Sequence, residues 1–167
     1  MMKSGYLAIA LLGSMVASAA YAATQTVTAH ISFDTPLTIT KNGDINFGSV
    51  KAAQAGTYVI NTVGAVTASA GGATLGGATQ AGNLTIAGSP SQAIDISVSN
   101  YVANNGVTPS AATCSYNGGV AAACSLASQA APGAGKSLLL GVTATVNGTQ
   151  AVGTSAAPTF DVIVNYH

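Results

Sequence analysis

The residues of this chain that could do chemistry are few and widely separated. The 167-residue sequence has no glutamate, only two histidines, His30 and His167, and four aspartates: Asp34, Asp44, Asp95 and Asp161. Two opposed carboxylates could hydrolyse a glycosidic bond, and a histidine–carboxylate cluster could hold a metal ion. Each aspartate instead follows a strand pattern, flanks a turn or alternates with apolar neighbours, and neither histidine has other ligand residues nearby in the sequence. We therefore predict no catalytic residue, no metal site and no cofactor, and we expect that the protein is not an enzyme.

The two cysteines form an isolated pair in the segment CSYNGGVAAAC, as Cys114 and Cys124. A redox-active pair has the spacing Cys-x-x-Cys, and a zinc site needs more ligands. The Asn-Gly-Gly between them is a strong turn signal. In an exported protein, this pattern predicts a structural disulfide that closes a hairpin or short loop.

The first residues have the order of a secretory signal peptide. Lys3 precedes the apolar run YLAIALLGSMVA, and the small residues SAAYAA follow it. This order predicts cleavage after Ala22 and export of the protein, which is then either soluble or built into a structure outside the cell. We assign residues 1–22 to the signal peptide, 23–35 to an N-terminal strand and 36–167 to a β-sandwich domain. No later segment is long and apolar enough to predict a membrane span.

Charged residues are scarce beyond the signal peptide. Three lysines face four aspartates, so the net charge there is −1, and the chain has no arginine. Nucleic-acid binding depends on clustered Lys and Arg, so we expect no nucleic-acid partner. Low charge gives weak protection against self-association, as suits a subunit that functions in an assembly.

Strand patterns recur along the chain and are separated by Gly, Asn and Pro clusters. We predict an all-β, immunoglobulin-like β-sandwich, either complete in itself or completed by a strand from a neighbouring subunit. The segment YVANNGVTPSAAT is interpreted as a loop. The apolar faces expected in the core belong to three segments, with Leu84 and Ile86 in the first, Ile94, Ile96 and Val98 in the second, and Leu138, Leu140, Val142, Ala144 and Val146 in the third.

The two ends of the chain beyond the signal peptide have the most regular alternation. In TQTVTAHISFDTPLTIT, the residues Val27, Ala29, Ile31 and Phe33 share one parity, and in TFDVIVNYH so do Phe160, Val162, Val164 and Tyr166. A period of two predicts strands with one apolar face. The first strand could pair within its own domain or be added to the sheet of another molecule. The sequence leaves both alternatives open.

These features resemble bacterial pilin subunits assembled by the chaperone–usher route. The resemblance rests on the signal peptide followed by TVTAHISF, on the alternation, and on FDVIVNYH with its penultimate tyrosine. It implies that Val27, Ala29, Ile31 and Phe33 are donor-strand residues, and that Phe160, Val162, Val164 and Tyr166 line the acceptor groove and contact a periplasmic chaperone. It also implies an outer-membrane usher as a partner and a location first in the periplasm and then at the cell surface. Better-known pilins have a cystine between early strands, so their strand order is not carried over.

A more specific resemblance covers most of the chain. The segments PLTITKNGDINFGSV, GNLTIAGSPSQAIDISV, LLLGVTATVNGTQAVGT and FDVIVNY are similar to a family of small secreted bacterial domains, domain-of-unknown-function family 4402, whose marks are Asn-Phe-Gly and a Val-x-Val-x-Tyr ending. Two functions follow as hypotheses. The leading one is a structural subunit of a surface fibre, a homo-oligomer assembled by donor-strand complementation that supports adhesion. The alternative is a self-complete secreted or surface β-sandwich that binds a ligand without polymerising.

Overall fold

A computed structural model describes residues 24–167. The predicted signal peptide lies outside this range. The chain divides into two compact units, Met1–Ser32 and Phe33–His167. The described residues of the first unit form no strand, and all the strands described below belong to the second.

The described residues form twelve strands and no helix. In chain order, the strands are β1 (Thr38–Gly43), β2 (Ser49–Val50), β3 (Ala55–Ile60), β4 (Val66–Ser69), β5 (Thr74–Gly76), β6 (Gly82–Ala87), β7 (Ile94–Val102), β8 (Val107–Tyr116), β9 (Ala122–Ala123), β10 (Ser125–Gln129), β11 (Lys136–Asn147) and β12 (Thr159–Tyr166). Strands β2 and β5 pair as a separate two-stranded ribbon.

The larger sheet is organised around β11, its longest strand. One side of β11 pairs first with β6 and then with β3, while the other side pairs with β8, and all these pairs are antiparallel. The outer strands of the path are β1, beside β6, and β4, beside β3. A Cβ at Gly141, close to where β11 passes from β6 to β3, would lie 2.4 Å from the Ile60 carbonyl oxygen. Glycine is therefore required there for close packing of the strands.

The smaller sheet has three strands in the order β10-β7-β12. Its inner face, with Ile94 and Ile96, packs in one core cluster with Ile86 and Leu138 of the larger sheet. Alternating apolar residues line both inner faces, as two packed sheets require. The prediction of an all-β sandwich is confirmed, and the residues predicted for the core are buried, apart from Val98, which is partly buried.

One local prediction was wrong. The segment YVANNGVTPSAAT is not a loop, because β7 extends to Val102 and β8 begins at Val107, with only residues 103–106 between them. Asn105 and Gly106 both have positive φ, 43° and 69°, as a tight type I′ hairpin requires. Pro109 lies opposite Ala144 of β11, and β9 pairs only with Thr113 and Cys114 at the far end of β8, so the other edge of β8 is open at Pro109, as proline in a strand requires.

The opening alternation lies outside the sheets that the structure describes. The first strand begins at Thr38, and no strand forms over residues 24–37. A period of two describes which side chains would share a face once a strand is paired, but an isolated segment gains no ladder hydrogen bonds. Whether residues 23–35 become a strand on another molecule stays a prediction.

Candidate functional site: an open apolar groove

An open groove of about 1490 Å³ lies between the two sheets, beside β12. Its floor consists of buried side chains of β11: Leu140, Val142, Ala144 and Val146. One wall is formed by Phe160 and Val162 of β12, and the other by Ile45 and Phe47 of the segment between β1 and β2. Leu75 on β5 and Val152 in the segment before β12 lie at its border and are themselves largely exposed. The groove therefore has an apolar floor and apolar residues on both walls, and its lining also includes polar residues such as Lys41, Asp44, Lys51, Gln150 and Asp161.

The wall strand β12 has a free edge. It pairs with β7 on one side only, and no other described strand pairs with it. Proteins commonly protect such edges with lysine, proline or a covering element. The eight residues of β12, TFDVIVNY, contain neither lysine nor proline. Its unpaired backbone groups therefore lie beside an apolar groove without either of those protections.

The four predicted groove residues of β12 share one face of the strand. Phe160, Val162, Val164 and Tyr166 are partly buried against the core, whereas the intervening residues are exposed. Phe160 and Val162 line the groove, and the Phe160 ring lies 5.6 Å from the Tyr101 ring, centroid to centroid. Val164 and Tyr166 pack beyond the groove. The structure thus brings two of the four to the groove itself.

Tyr166 contacts other segments of its own domain. Its hydroxyl accepts a hydrogen bond from the Ser89 backbone N–H at 2.6 Å and donates one to the Thr35 carbonyl. Gly88 leaves room for this hydroxyl, since a Cβ there would lie 2.6 Å from it. Tyr166 therefore ties β12 to the residues just before β1.

A polar cluster fixes the chain immediately after Phe33. The Ser89 hydroxyl donates to Asp34 Oδ1 at 2.8 Å, and Gln92 Nε2 donates to Asp34 Oδ2 at 3.0 Å. Ser89 is fully buried. Sequence reasoning missed this cluster and treated Asp34 as solvated strand polarity. The available signal was the serine-rich turn GSPSQ, which offers hydroxyl donors to a carboxylate.

The predicted donor residues precede this anchor. Val27, Ile31 and Phe33 are 87%, 77% and 88% exposed, and Ala29 is exposed too. We call residues Thr24–Phe33 the extension. An alternating run with three large apolar side chains in water is unfavourable unless a partner covers it.

A second polar cluster joins all three strands of the smaller sheet. His167, which follows β12, has its Nδ1 3.0 Å from Asp95 Oδ1 on β7, and its Nε2 lies 2.9 Å from the Ser128 hydroxyl on β10. The Ser128 backbone N–H also donates to Asp95 at 2.8 Å. That hydrogen bond, followed by the contact with His167, lowers the pKa of Asp95 below its ordinary value.

The contacts follow one another as in a serine–histidine–aspartate triad, with Ser128 beside His167 and His167 beside Asp95. The Ser128 N–H is used by Asp95 and is not free to stabilise an oxyanion. The groove does not border the cluster. What the arrangement does is tie the end of β12 across β7 to β10.

The remaining polar candidates stay apart. Asp44 pairs with Lys41 Nζ at 2.8 Å, Asp161 accepts from Asn100 at 2.9 Å, and His30 is exposed. No group of three or more His, Cys, Asp or Glu within residues 24–167 could hold a metal ion. In the same part of the chain, we find no helix of the length and hydrophobicity that crossing a membrane requires.

The predicted disulfide is confirmed. Cys114 and Cys124 are bonded, with their Cα atoms 5.0 Å apart, and both are buried. They lie at the hairpin formed by β8 and β9. Asn117 and Gly118 turn the chain there, with φ of 51° and 74°.

Comparison with known proteins gives one match. Residues 37–166 match the model of the family described as "Domain of unknown function (DUF4402)". No curated protein and no solved structure matches the chain. The matched range begins just after the extension and its anchor.

Proposed function

This chain belongs to the DUF4402 family, and we propose that it is a structural subunit of a bacterial surface fibre. The description of the family names no activity. In this proposal, the extension of one copy lies in the groove of the next copy as an added strand. The single observation that carries the proposal is the presence, in one chain, of an unpartnered alternating extension and an unfilled apolar groove beside a free strand edge.

The chemistry of the two surfaces is complementary. The groove offers an aliphatic floor and an edge strand with unpaired N–H and C=O groups, and an added strand satisfies both. The extension supplies apolar side chains at every second residue, so one face can enter the groove while the other stays in water. Burying the three large side chains contributes about 1.5–3 kcal/mol each, or roughly 5–9 kcal/mol together before ordering costs. Backbone pairing along the free edge of β12 would add to this contribution.

A second copy of this chain is the occupant we propose for the groove. The fibre is a homo-oligomer in which each subunit donates one extension and accepts another, so the contact is heterologous and generates a filament when it does not close into a ring. The same proposal includes export by the predicted signal peptide, a periplasmic chaperone that covers the groove before assembly, an outer-membrane usher, a surface location and a role in adhesion.

The test uses the full chain, exported and purified from the cell surface. The unmodified chain is expected to form multimers that survive SDS without boiling and fibres visible by electron microscopy. Ile31→Asp places a charge in the buried face of the added strand and should abolish both. The matched control is Val63→Asp, which adds the same charge at a residue 81% exposed in the β3–β4 turn and should leave the multimers intact. Normal multimers from the Ile31→Asp chain would contradict the proposal.

The alternative is a self-complete β-sandwich that binds a ligand as a monomer. The internal hydrogen bonds of Tyr166 favour it, because they show that part of the β12 face is already satisfied within one chain. This alternative predicts a monomer in dilute solution whose residues 24–33 resist proteolysis. Sedimentation of the unmodified chain, combined with limited proteolysis, separates the two functions.

A further inference from the structure

We infer that Phe47 determines the size of the side chain that the groove accepts at one position of the added strand. This inference rests on the proposed function and assigns a specificity-determining residue within that same groove. It comes from two observations: Phe47 is the residue common to the linings of two cavities, and hydrogen bonds hold the backbone on either side of it.

The backbone on both sides of Phe47 is fixed. The Asn46 N–H donates to the Gln80 carbonyl at 2.8 Å, and the Gln80 N–H donates back to the Asn46 carbonyl at 2.8 Å. The Asn46 side chain accepts from the Gly48 N–H at 2.9 Å. Gly48 has a φ of +69°, and a Cβ there would lie 2.8 Å from the Gly76 carbonyl oxygen. Asparagine and glycine thus hold the segment so that only the Phe47 side chain is left to adjust.

The Phe47 side chain lies between two spaces. It lines the groove, and it also lines a smaller cavity of about 210 Å³ bordered by Val66, Thr74, Gly76 and Thr79. The ring is half-buried against the core cluster. It therefore acts as a partition, and its truncation would join the smaller cavity to the groove. This also gives a physical reason for the Asn-Phe-Gly segment at Asn46–Gly48.

A partition of this kind makes a specific prediction about the added strand. One position of the extension should contact Phe47. A larger side chain at that position should clash with the Phe47 ring, and it should fit when Phe47 is replaced by alanine. Hydrophobic pockets discriminate by about tenfold or more per methylene, so the effect is measurable.

The experiment is a set of paired substitutions in the full chain. Tryptophan replaces Val27, Ala29, Ile31 or Phe33, one at a time, in chains that carry either Phe47 or Phe47→Ala. The readout is the fraction of SDS-resistant multimer in unboiled samples. We expect tryptophan at one of the four positions to lower that fraction by about tenfold or more with Phe47 present, and Phe47→Ala to restore it at that position alone. Phe47→Leu should restore the multimer fraction in part. This variant replaces Phe47→Ala in the experiment if the alanine variant does not fold.

Phe160→Ala is the matched control. Phe160 is also a half-buried aromatic residue lining the groove, but it does not border the smaller cavity. The Phe160→Ala chain should form less SDS-resistant multimer with every extension, and it should restore the multimer fraction for none of the tryptophan substitutions. If Phe47→Ala lowers the fraction of SDS-resistant multimer equally for every extension, or restores that fraction at no position, the inference is overturned while the proposed function stands. If the unmodified chain forms no multimers, the proposed function fails, and the inference fails with it.

Discussion

Replacing Phe33 by alanine should separate the stability of the domain from the stability of the assembly. Phe33 is 88% exposed and precedes the anchor at Asp34, so its ring contributes almost nothing to the fold of its own chain. If the ring enters a neighbour's groove, its removal forfeits the burial of one large side chain, about 1.5–3 kcal/mol. At 1.36 kcal/mol per factor of ten, that is about 10- to 150-fold in the subunit dissociation constant.

Two measurements on the same protein give both quantities. Thermal unfolding of monomer that has been refolded at low concentration and has not yet assembled, monitored by circular dichroism, is expected to give the same midpoint for the Phe33→Ala and unmodified chains. Multimer stability, measured as the fraction of multimer that remains in unboiled SDS samples at increasing temperature, should show the weakening. Val63→Ala, at a comparably exposed residue outside the extension, should change neither.

The result that would refute the reasoning is a lowered monomer midpoint with unchanged multimers. It would mean that the ring is buried within its own domain and that the extension is not shared between copies. If the Phe33→Ala and unmodified chains have the same multimer stability and the same monomer midpoint, Phe33 is not part of the interface.

Three further results are expected. Tyr166→Phe leaves the buried Ser89 N–H without its acceptor and should lower the free energy of unfolding by about 1–3 kcal/mol in urea titrations; an unchanged value would show that water replaces the hydroxyl. Replacing both Cys114 and Cys124 by alanine opens a loop with a sequence separation of 10 and should cost about 3 kcal/mol in the same titrations, and a similar loss should follow reduction of the unmodified chain. Because the pKa of Asp95 is lowered in the fold, its contribution to stability is present above the unfolded carboxyl value of about 3.9 and is lost as the pH falls through the folded value. The melting temperature of the unmodified chain should therefore decrease more between pH 5 and pH 3 than that of Asp95→Asn, and parallel curves would contradict this.

The parts of the fold that sequence reasoning predicted well are those set by local alternation. In β11, the residues from Leu138 to Val146 with one parity are buried because the inner face of a packed sheet repeats every second residue. The cystine was predictable for a similar reason, since a tight turn between two cysteines brings them together whatever the rest of the chain does.

The parts that it missed depend on which strands become neighbours. Asp34 and Ser89 are 55 residues apart, and Ser89 and Tyr166 are 77 apart, so their contact follows from sheet order and leaves no mark on local periodicity. The cluster of Asp95, Ser128 and His167 has the same origin, because β10 and β12 flank β7. The groove could be anticipated only through the pilin resemblance, and Phe47 as its partition could not, since its role requires knowing that two cavities meet at one ring.

The hydrogen bond between Tyr166 and Thr35 has a mechanical consequence in an assembled fibre. Tension on an extension held by a neighbour would enter the chain at Asp34 and Thr35. The Tyr166 hydroxyl would pass part of that force directly into β12, the strand whose free edge borders the groove for the next extension. Force along the fibre would then have a short path from one β12 to the next, in addition to the path through the backbone into β1 of the larger sheet.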